Sequence, residues 1–174
     1  MNKPVPRYAQ GFFFMHESGL IDQIVIFDYF DYDGFYWHLV KDHVKLSREI
    51  ELLSSNMQYF LDKEEVFING SRTYPRVVST DLGFRGGPEY PYIVFYIVFR
   101  GELRDGVNVY ENRYDEEIAE YDYTVSWFLP HNARVLKADF KVPYRVDCDG
   151  RVLSFTVFKG TRIGGRELIV FKLK

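Results

Sequence analysis

Residues 119–129, AEYDYTVSWFL, carry the clearest structural pattern in the chain. Apolar or aromatic side chains occupy every second position from Ala119 to Leu129, and they alternate with four polar residues, Glu120, Asp122, Thr124 and Ser126. Because successive side chains of a strand point to opposite faces, this alternation predicts a strand with one buried and one solvated face. Pro130 ends the strand, since proline has no amide hydrogen to donate to a neighbouring strand.

The Asp-Gly pair at residues 149–150 predicts a hairpin close to this strand. Asp-Gly between strands favours a two-residue type I′ turn, in which both central residues have positive φ. The register of that turn places apolar residues opposite each other on one face: Val146 with Leu153, Tyr144 with Phe155, and Val142 with Val157. A slip by one residue would bury the basic residues of the other face instead, so the pattern specifies the register.

A second Asp-Gly pair at residues 33–34 lies inside the aromatic stretch FDYFDYDGFYWH, residues 27–38. The same turn rule predicts another hairpin here, with four rings on one face: Phe30, Tyr32, Phe35 and Trp37. This register places Asp28 on the aromatic face and Asp31 on the opposite face. The third pair, at residues 105–106, gives poor cross-strand matches and predicts a longer loop or a bulge.

One segment has helical periodicity. Apolar residues at positions 50, 53, 57, 60 and 61, with polar residues between them, predict an amphipathic helix near 48–62 with Ser47 as its N-cap. The apolar run at 92–99 predicts a central strand that is covered on both faces. We therefore expect a single domain over residues 1–174, mainly β, an antiparallel two-layer β-sandwich built from hairpins with one helix. The alternative is an α+β fold in which an antiparallel sheet wraps around one helix.

Composition favours a soluble protein of the cytoplasm. The chain has 174 residues, net charge −3 and one cysteine, so it cannot form an internal disulfide, and its apolar runs are too short to cross a membrane or to act as a signal peptide. Its low glutamine content and 27% charged residues are typical of a heat-adapted source. We expect neither a metal nor a cofactor, because the chain has no glycine-rich phosphate loop and no paired histidines at metal-binding spacing.

Three residues of the aromatic stretch are weak candidates for catalysis: Asp28, Asp31 and His38. They could form an acid–base or metal cluster, but the predicted hairpin directs Asp28 and Asp31 to opposite faces. A calcium loop would need further oxygen ligands where aromatic residues follow. The sequence therefore favours Asp31 as a solvated residue. Asp28 needs a partner if the aromatic face is buried.

The last third of the chain is basic. Residues 131–174 contain ten Lys and Arg against four Asp and Glu, a balance of +6. Lys137, Lys141 and Arg145 alternate and could form a basic sheet face that binds a polyanion. That face lacks interleaved aromatic rings for base stacking, which argues against nucleic acid. We expect acids of the preceding strand to pair with these basic residues across the sheet: Glu116, Glu120 and Asp122.

No set of residues supplies a nucleophile, a base and oxyanion donors together, so the sequence argues against an enzyme. The leading hypothesis is a non-enzymatic binding or assembly module that binds a protein partner or self-associates through an aromatic or edge-strand surface. The alternative is a small-molecule-binding protein, or a hydrolytic or metal-dependent enzyme, with a pocket between helix and sheet. A polyanion binder is the weaker third hypothesis.

Overall fold

The computed structural model describes residues 3–174, which fold into two β-sheets and one long helix. This confirms the prediction of a mainly β sandwich with a helix. The elements in chain order are β1 (Val5–Met15), β2 (Leu20–Phe30), α1 (Phe35–Leu39), α2 (His43–Lys63), β3 (Glu65–Ile68), β4 (Ser71–Thr73), β5 (Arg76–Phe84), β6 (Pro91–Arg100), β7 (Gly106–Ile118), β8 (Asp122–Phe128), β9 (Ala133–Asp139), β10 (Tyr144–Asp147), β11 (Val152–Val157) and β12 (Arg162–Leu173).

Seven strands form the larger sheet in the order β10-β11-β8-β1-β2-β6-β5, and five form the smaller sheet in the order β4-β3-β7-β12-β9. Neighbouring strands are antiparallel except for β1 and β8, which run parallel. The predicted strand at 119–129 corresponds to β8, and its side chain Trp127 is fully buried, stacked on Phe13 with ring centroids 4.0 Å apart.

The larger sheet buries one face along its whole width. Over β11, β8 and β1 this inner face packs against the smaller sheet, where Ile169 and Phe171 of β12 are fully buried. Over β6 and β5 the same face packs against α2 through Leu53, Met57 and Leu61. The core therefore has two parts, one between the sheets and one under the helix.

The hairpin at 149–150 has the predicted register. Tyr144 pairs with Phe155 and Val146 with Leu153. Asp149 and Gly150 have φ of 55° and 95°, as a type I′ turn requires. The third predicted pair is not formed, because β10 begins at Tyr144.

The prediction of a hairpin at residues 33–34 is wrong. Residues 35–39 form helix α1, which begins after Gly34 with its positive φ of 63°. The carboxylate of Asp31 accepts a hydrogen bond from the amide of Tyr36 at 2.9 Å and so supports this helical turn. Strand β2 already has β1 on one edge and β6 on the other, so no edge is free for a hairpin partner.

Helix α2 starts five residues earlier than predicted. Its N-cap is Asp42 and not Ser47: the Asp42 side chain accepts from the amides of Val44 and Lys45, each at 3.1 Å. Phe60, which the periodicity assigned to the buried face, is exposed on the helix surface.

Residues 101–105 form a loop, as the poor cross-strand matches of the third Asp-Gly pair predicted, and this loop joins the two sheets, since β6 pairs with β2 and β5 whereas β7 pairs with β3 and β12. One further strand prediction needs correction. Strand β6 is second from an edge and its Tyr96 is exposed, so it is not covered on both faces. No helix of the described residues has the length and hydropathy needed to cross a membrane.

Candidate functional site

The structure separates the predicted catalytic residues. Asp28 lies near the end of β2, at the surface. Asp31 is not solvated as expected: it is 0% exposed, and its Oδ1 atom has no hydrogen-bond partner. His38 is exposed on α1. Because Asp31 is fully buried, it cannot act on a common substrate together with Asp28 and His38.

The predicted aromatic face also separates, because its four rings do not share a pair of strands. Tyr32 is 75% exposed in the turn after β2, and Trp37 stands at the surface against Phe84. Phe35 packs against the part of the core under α2. Of this set only Phe30 stays beside Asp28, and the two line the same pocket.

That pocket has a volume of about 580 Å³, which lies within the usual range for small-ligand sites. We call it the Asp28 pocket; its lining residues are Arg7, Asp28, Tyr29, Phe30, Arg85 and Tyr90. They come from the start of β1, the end of β2 and the β5–β6 connection. The pocket is thus assembled from three segments that are distant in sequence.

Charge and aromatic surface meet in the Asp28 pocket. Arg85 donates from Nε to Oδ1 of Asp28 at 2.5 Å, so Arg85 is the partner that the Asp28 carboxylate requires. The Arg7 guanidinium lies 5.5 Å from the ring centroid of Phe30 and forms no ion pair with another described residue. Phe30 and Tyr90 lie with centroids 5.9 Å apart. Two guanidinium groups against one carboxylate leave the pocket with a positive charge.

A second polar site lies on the inner face of the smaller sheet. We call it the polar cluster: Glu64, Asn112, Tyr114 and Glu167. The register of β3, β7 and β12 creates it, because Asn112 pairs with Val66 on one side and with Glu167 on the other. Glu64 directly precedes β3, and Tyr114 is two residues along β7, on the same face as Asn112.

Hydrogen bonds join the polar cluster in two pairs. The Tyr114 hydroxyl donates to Oε1 of Glu167 at 2.7 Å, and Nδ2 of Asn112 donates to Oε2 of Glu64 at 2.8 Å. Burial, together with a smaller effect of the Glu64 charge, raises the pKa of Glu167 to about 7, although the hydrogen bond from Tyr114 acts in the opposite direction. Burial likewise raises the pKa of Glu64.

Tyrosines surround the polar cluster. Burial, with the charge of Glu167 next in effect, raises the pKa of Tyr110, Tyr114 and Tyr123. Burial raises the pKa of Tyr121, which directly precedes β8, to about 12. These phenols therefore stay protonated, and remain hydrogen-bond donors, at any physiological pH.

The basic residues do not form the predicted face. Lys137 belongs to β9 of the smaller sheet and Arg145 to β10 of the larger sheet, with Lys141 in the connection between them at φ of 60°. The expected acids are not their partners either. Lys141 contacts Asp139 at 3.4 Å and Arg145 contacts Asp147 at 2.7 Å. Lys141 and Arg145 are thus each paired with an acid close by in the chain. The three basic residues do not share one surface, and binding of a polyanion stays a prediction.

Sequence reasoning missed the remaining residues of both sites: Arg7, Tyr29, Arg85, Tyr90, Glu64, Asn112, Tyr114 and Glu167. For Glu167 a signal was present, since it occupies an inward position on β12 in line with the apolar residues Ile169 and Phe171. No comparable signal marked the two arginines. Within residues 3–174, no group of three or more His, Cys, Asp and Glu side chains could hold a metal ion.

Comparisons with known proteins do not identify a family. No family model and no curated protein matches the chain. Among solved structures, the folded domain of LppM from Mycobacterium tuberculosis has 8% identity and a TM-score of 0.42, covering 100% of this chain and 94% of that one.

Two peptidases are also similar in structure. An M1 zinc metallopeptidase from Deinococcus radiodurans has 9% identity and a TM-score of 0.38, covering 96% of this chain and 42% of that one. An aminopeptidase N family protein from Idiomarina loihiensis has 6% identity and a TM-score of 0.41, covering 93% of this chain and 29% of that one. This chain thus spans less than half the length of either peptidase. Similarity at this level supports no argument about function.

Proposed function

We propose that this protein binds a small anionic ligand that carries a planar ring, and that the Asp28 pocket holds it. The observation that carries the proposal is the presence of two guanidinium groups, Arg7 and Arg85, beside aromatic rings in a pocket of about 580 Å³. A guanidinium binds a carboxylate or phosphate through paired N–H donors. Phe30 and Tyr90 offer rings against which a planar group can pack.

Asp28 has a positioning role in this proposal. Its carboxylate accepts from Nε of Arg85, while the Tyr92 ring lies 4.7 Å from the centre of the same guanidinium. Held in this way, Arg85 keeps its two terminal nitrogens available for a ligand. The pocket binds and orients, and its lining residues do not pair a nucleophile with a base, so we propose binding and not catalysis.

Calorimetric titration with phenyl phosphate and benzoate tests the proposal. We expect saturable binding that Arg7→Ala and Arg85→Ala each weaken about tenfold or more, the loss expected for a charge-assisted hydrogen bond. Arg48→Ala is the matched control, because Arg48 is exposed on α2, away from the pocket. Benzyl alcohol, which has the ring without the charge, should bind much more weakly. Equal losses in all three arginine variants, or no saturable binding to the wild type, would refute the proposal.

Self-association is the second candidate function, and the aromatic residues on the outer face of the larger sheet support it. Phe14 and Phe128 stack there with centroids 4.9 Å apart, and Phe12 pairs with Ile24 on the neighbouring strand. These side chains are half-buried, and α2 packs on the opposite face of the sheet. A second copy of the chain is the occupant we propose, because a two-fold interface only requires that the patch be complementary to itself.

Sedimentation velocity tests self-association. We expect a dimer that Phe14→Gln dissociates and that Phe60→Gln, a change at an exposed ring on α2, leaves intact. A monomer at all concentrations, or equal sensitivity to both changes, would contradict this second candidate.

A further inference from the structure

A separate cavity opens on the outer face of the larger sheet, towards its β10 edge. Its volume is about 660 Å³, which lies within the usual range for small-ligand sites. We call it the hydroxyl pocket after the polar side chains of β1, β8 and β11 that line it: Gln10, Thr124, Ser126, Ser154 and Thr156. Four of these five residues carry a hydroxyl group, and none of the five carries a charge.

The strand register brings these side chains together. Gln10 pairs with Thr124 and Thr124 pairs with Thr156, so one polar row crosses three strands. Ser126 pairs with Ser154 in a neighbouring row of the same surface. Residues two apart in a strand point to the same face, so both rows face outward, away from the core between the sheets.

Most of these polar groups have no partner within the fold. The hydroxyl groups of Thr124 and Tyr8 form a hydrogen bond of 3.0 Å. The side chains of the other four residues form no hydrogen bond with another described residue. A hydroxyl group can both donate and accept, and a carboxamide offers donors and an acceptor. The pocket therefore presents several unused hydrogen-bonding groups of mixed polarity to a ligand.

Charge is almost absent from the hydroxyl pocket. Among the described residues that line it, only Arg145 is charged, and its Nε atom lies 2.7 Å from Oδ2 of Asp147. The exposed face of the smaller sheet is different, because there Glu111 contacts both Arg113 and Arg166. Opposite charges paired across strands are an ordinary way to solvate a sheet face. The uncharged lining of the pocket therefore favours a neutral polar ligand.

Aromatic rings border the same cavity. Phe158 directly follows β11, lies two positions beyond Thr156 and is 65% exposed. The ring of Tyr8 is half-buried, and its hydroxyl is fixed by the bond to Thr124. An aromatic ring combined with a few polar groups is typical of a small-molecule site, where the ring supplies apolar contact and the polar groups supply orientation.

We propose that the hydroxyl pocket binds a neutral carbohydrate. The hydroxyl groups of a sugar both donate and accept, as do those of Ser126, Ser154 and Thr156, so the two sets can satisfy each other. The C–H face of the sugar ring packs against Phe158. A phosphate or carboxylate ligand would require an unpaired cationic side chain, and an amine would require an unpaired carboxylate. The described lining residues supply neither.

This inference goes beyond the function proposed above. None of the residues that line the hydroxyl pocket lines the Asp28 pocket, and Phe14 and Phe128 of the proposed dimer patch do not line it either. Failure of anion binding or of self-association is therefore distinguishable from failure of carbohydrate binding.

Nuclear magnetic resonance titration of the full chain with neutral sugars tests the inference. The probes are the methyl glycosides of glucose, galactose and mannose, and the disaccharides maltose and lactose. We expect saturable shifts of the backbone amides of Ser126 and Ser154 with at least one of them. Cyclohexanol, which has a six-membered ring with a single hydroxyl group, should bind much more weakly. Added salt should leave the affinity unchanged, because no ion pair forms with the ligand.

Matched variants separate the pocket from the rest of the surface. Ser154→Ala should weaken sugar binding about threefold to tenfold, the range for loss of one neutral hydrogen bond. Ser79→Ala, at an exposed serine on β5 at the opposite edge of the same sheet, is its control. Phe158→Ala should weaken binding about threefold or more, and Phe60→Ala, at a similarly exposed ring on α2, should not.

Several outcomes would overturn the inference. They are the absence of saturable shifts with all five sugars, equal affinity for cyclohexanol, and an affinity that falls steeply with salt. Equal losses in Ser154→Ala and Ser79→Ala, or in Phe158→Ala and Phe60→Ala, would do the same. Arg7→Ala should leave sugar binding unchanged, and a loss in that variant would place the sugar in the Asp28 pocket instead.

Discussion

Replacing Glu167 with glutamine should stabilise the protein in alkaline solution and leave its stability nearly unchanged in acid. Burial and the charge of Glu64 raise the pKa of Glu167 from 4.5 to about 7 in the folded state. Below pH 4.5 the Glu167 carboxyl is protonated in both the folded and the unfolded state, so it does not make the free energy of unfolding depend on pH. Between 4.5 and 7 the unfolded chain releases the proton while the folded chain retains it, and the free energy of unfolding falls as the pH rises.

The magnitude follows from the size of the pKa change. Each pKa unit corresponds to about 1.4 kcal/mol, so a rise from 4.5 to about 7 costs the wild type about 3 kcal/mol above pH 7. Glutamine carries no charge, and its amide oxygen can still accept from the Tyr114 hydroxyl. The variant should therefore exceed the wild type by up to about 3 kcal/mol at pH 9 and match it at pH 4.5.

Urea denaturation at pH 4.5, 7 and 9, followed by far-ultraviolet circular dichroism, measures this difference. Glu65→Gln, at the exposed neighbour of Glu64, serves as the control and should show little dependence on pH relative to the wild type. A stability difference that is the same at all three pH values would refute the argument. So would a wild type that gains stability over Glu167→Gln as the pH rises.

Three further predictions concern the fold. Asp42→Ala should lower the free energy of unfolding by about 1 kcal/mol through loss of the α2 N-cap, measured by urea denaturation; an unchanged midpoint would contradict the cap. Gly101→Ala should destabilise the protein by about 1–3 kcal/mol, because its Cβ atom would lie 2.5 Å from that of Ile68; Gly11→Ala, with its nearest neighbour at 3.7 Å, should have a smaller effect in the same assay. If the chain is a single domain, circular dichroism and tryptophan fluorescence should report one coincident thermal transition, and two separate transitions would contradict that prediction.

Two Asp-Gly pairs illustrate what local sequence can predict. Both lie between segments that alternate well, yet only the pair at 149–150 forms a hairpin. The difference is tertiary: β10 is an edge strand and has room beside β11, whereas both edges of β2 are taken by β1 and β6. Periodicity defines which face of a segment is apolar, but it does not reveal which sheet edges remain free.

The sites were harder to predict than the strands for a related reason. Glu64 and Glu167 are brought together only by the pairing of β3, β7 and β12, which are distant in the chain. The sequence indicated that Asp28 would need a partner if the aromatic face were buried. That partner, Arg85, lies 57 residues away, so only the folded structure could identify it.

The polar cluster and the anion pocket differ in what they cost the fold. Asp28 and Arg85 form a partly exposed ion pair, which contributes little to stability in either direction. Glu64 and Glu167 are held in an interior that raises their pKa values, so their charges oppose folding at neutral pH. An apolar residue at position 167 would extend the row of Ile169 and Phe171 and remove that cost.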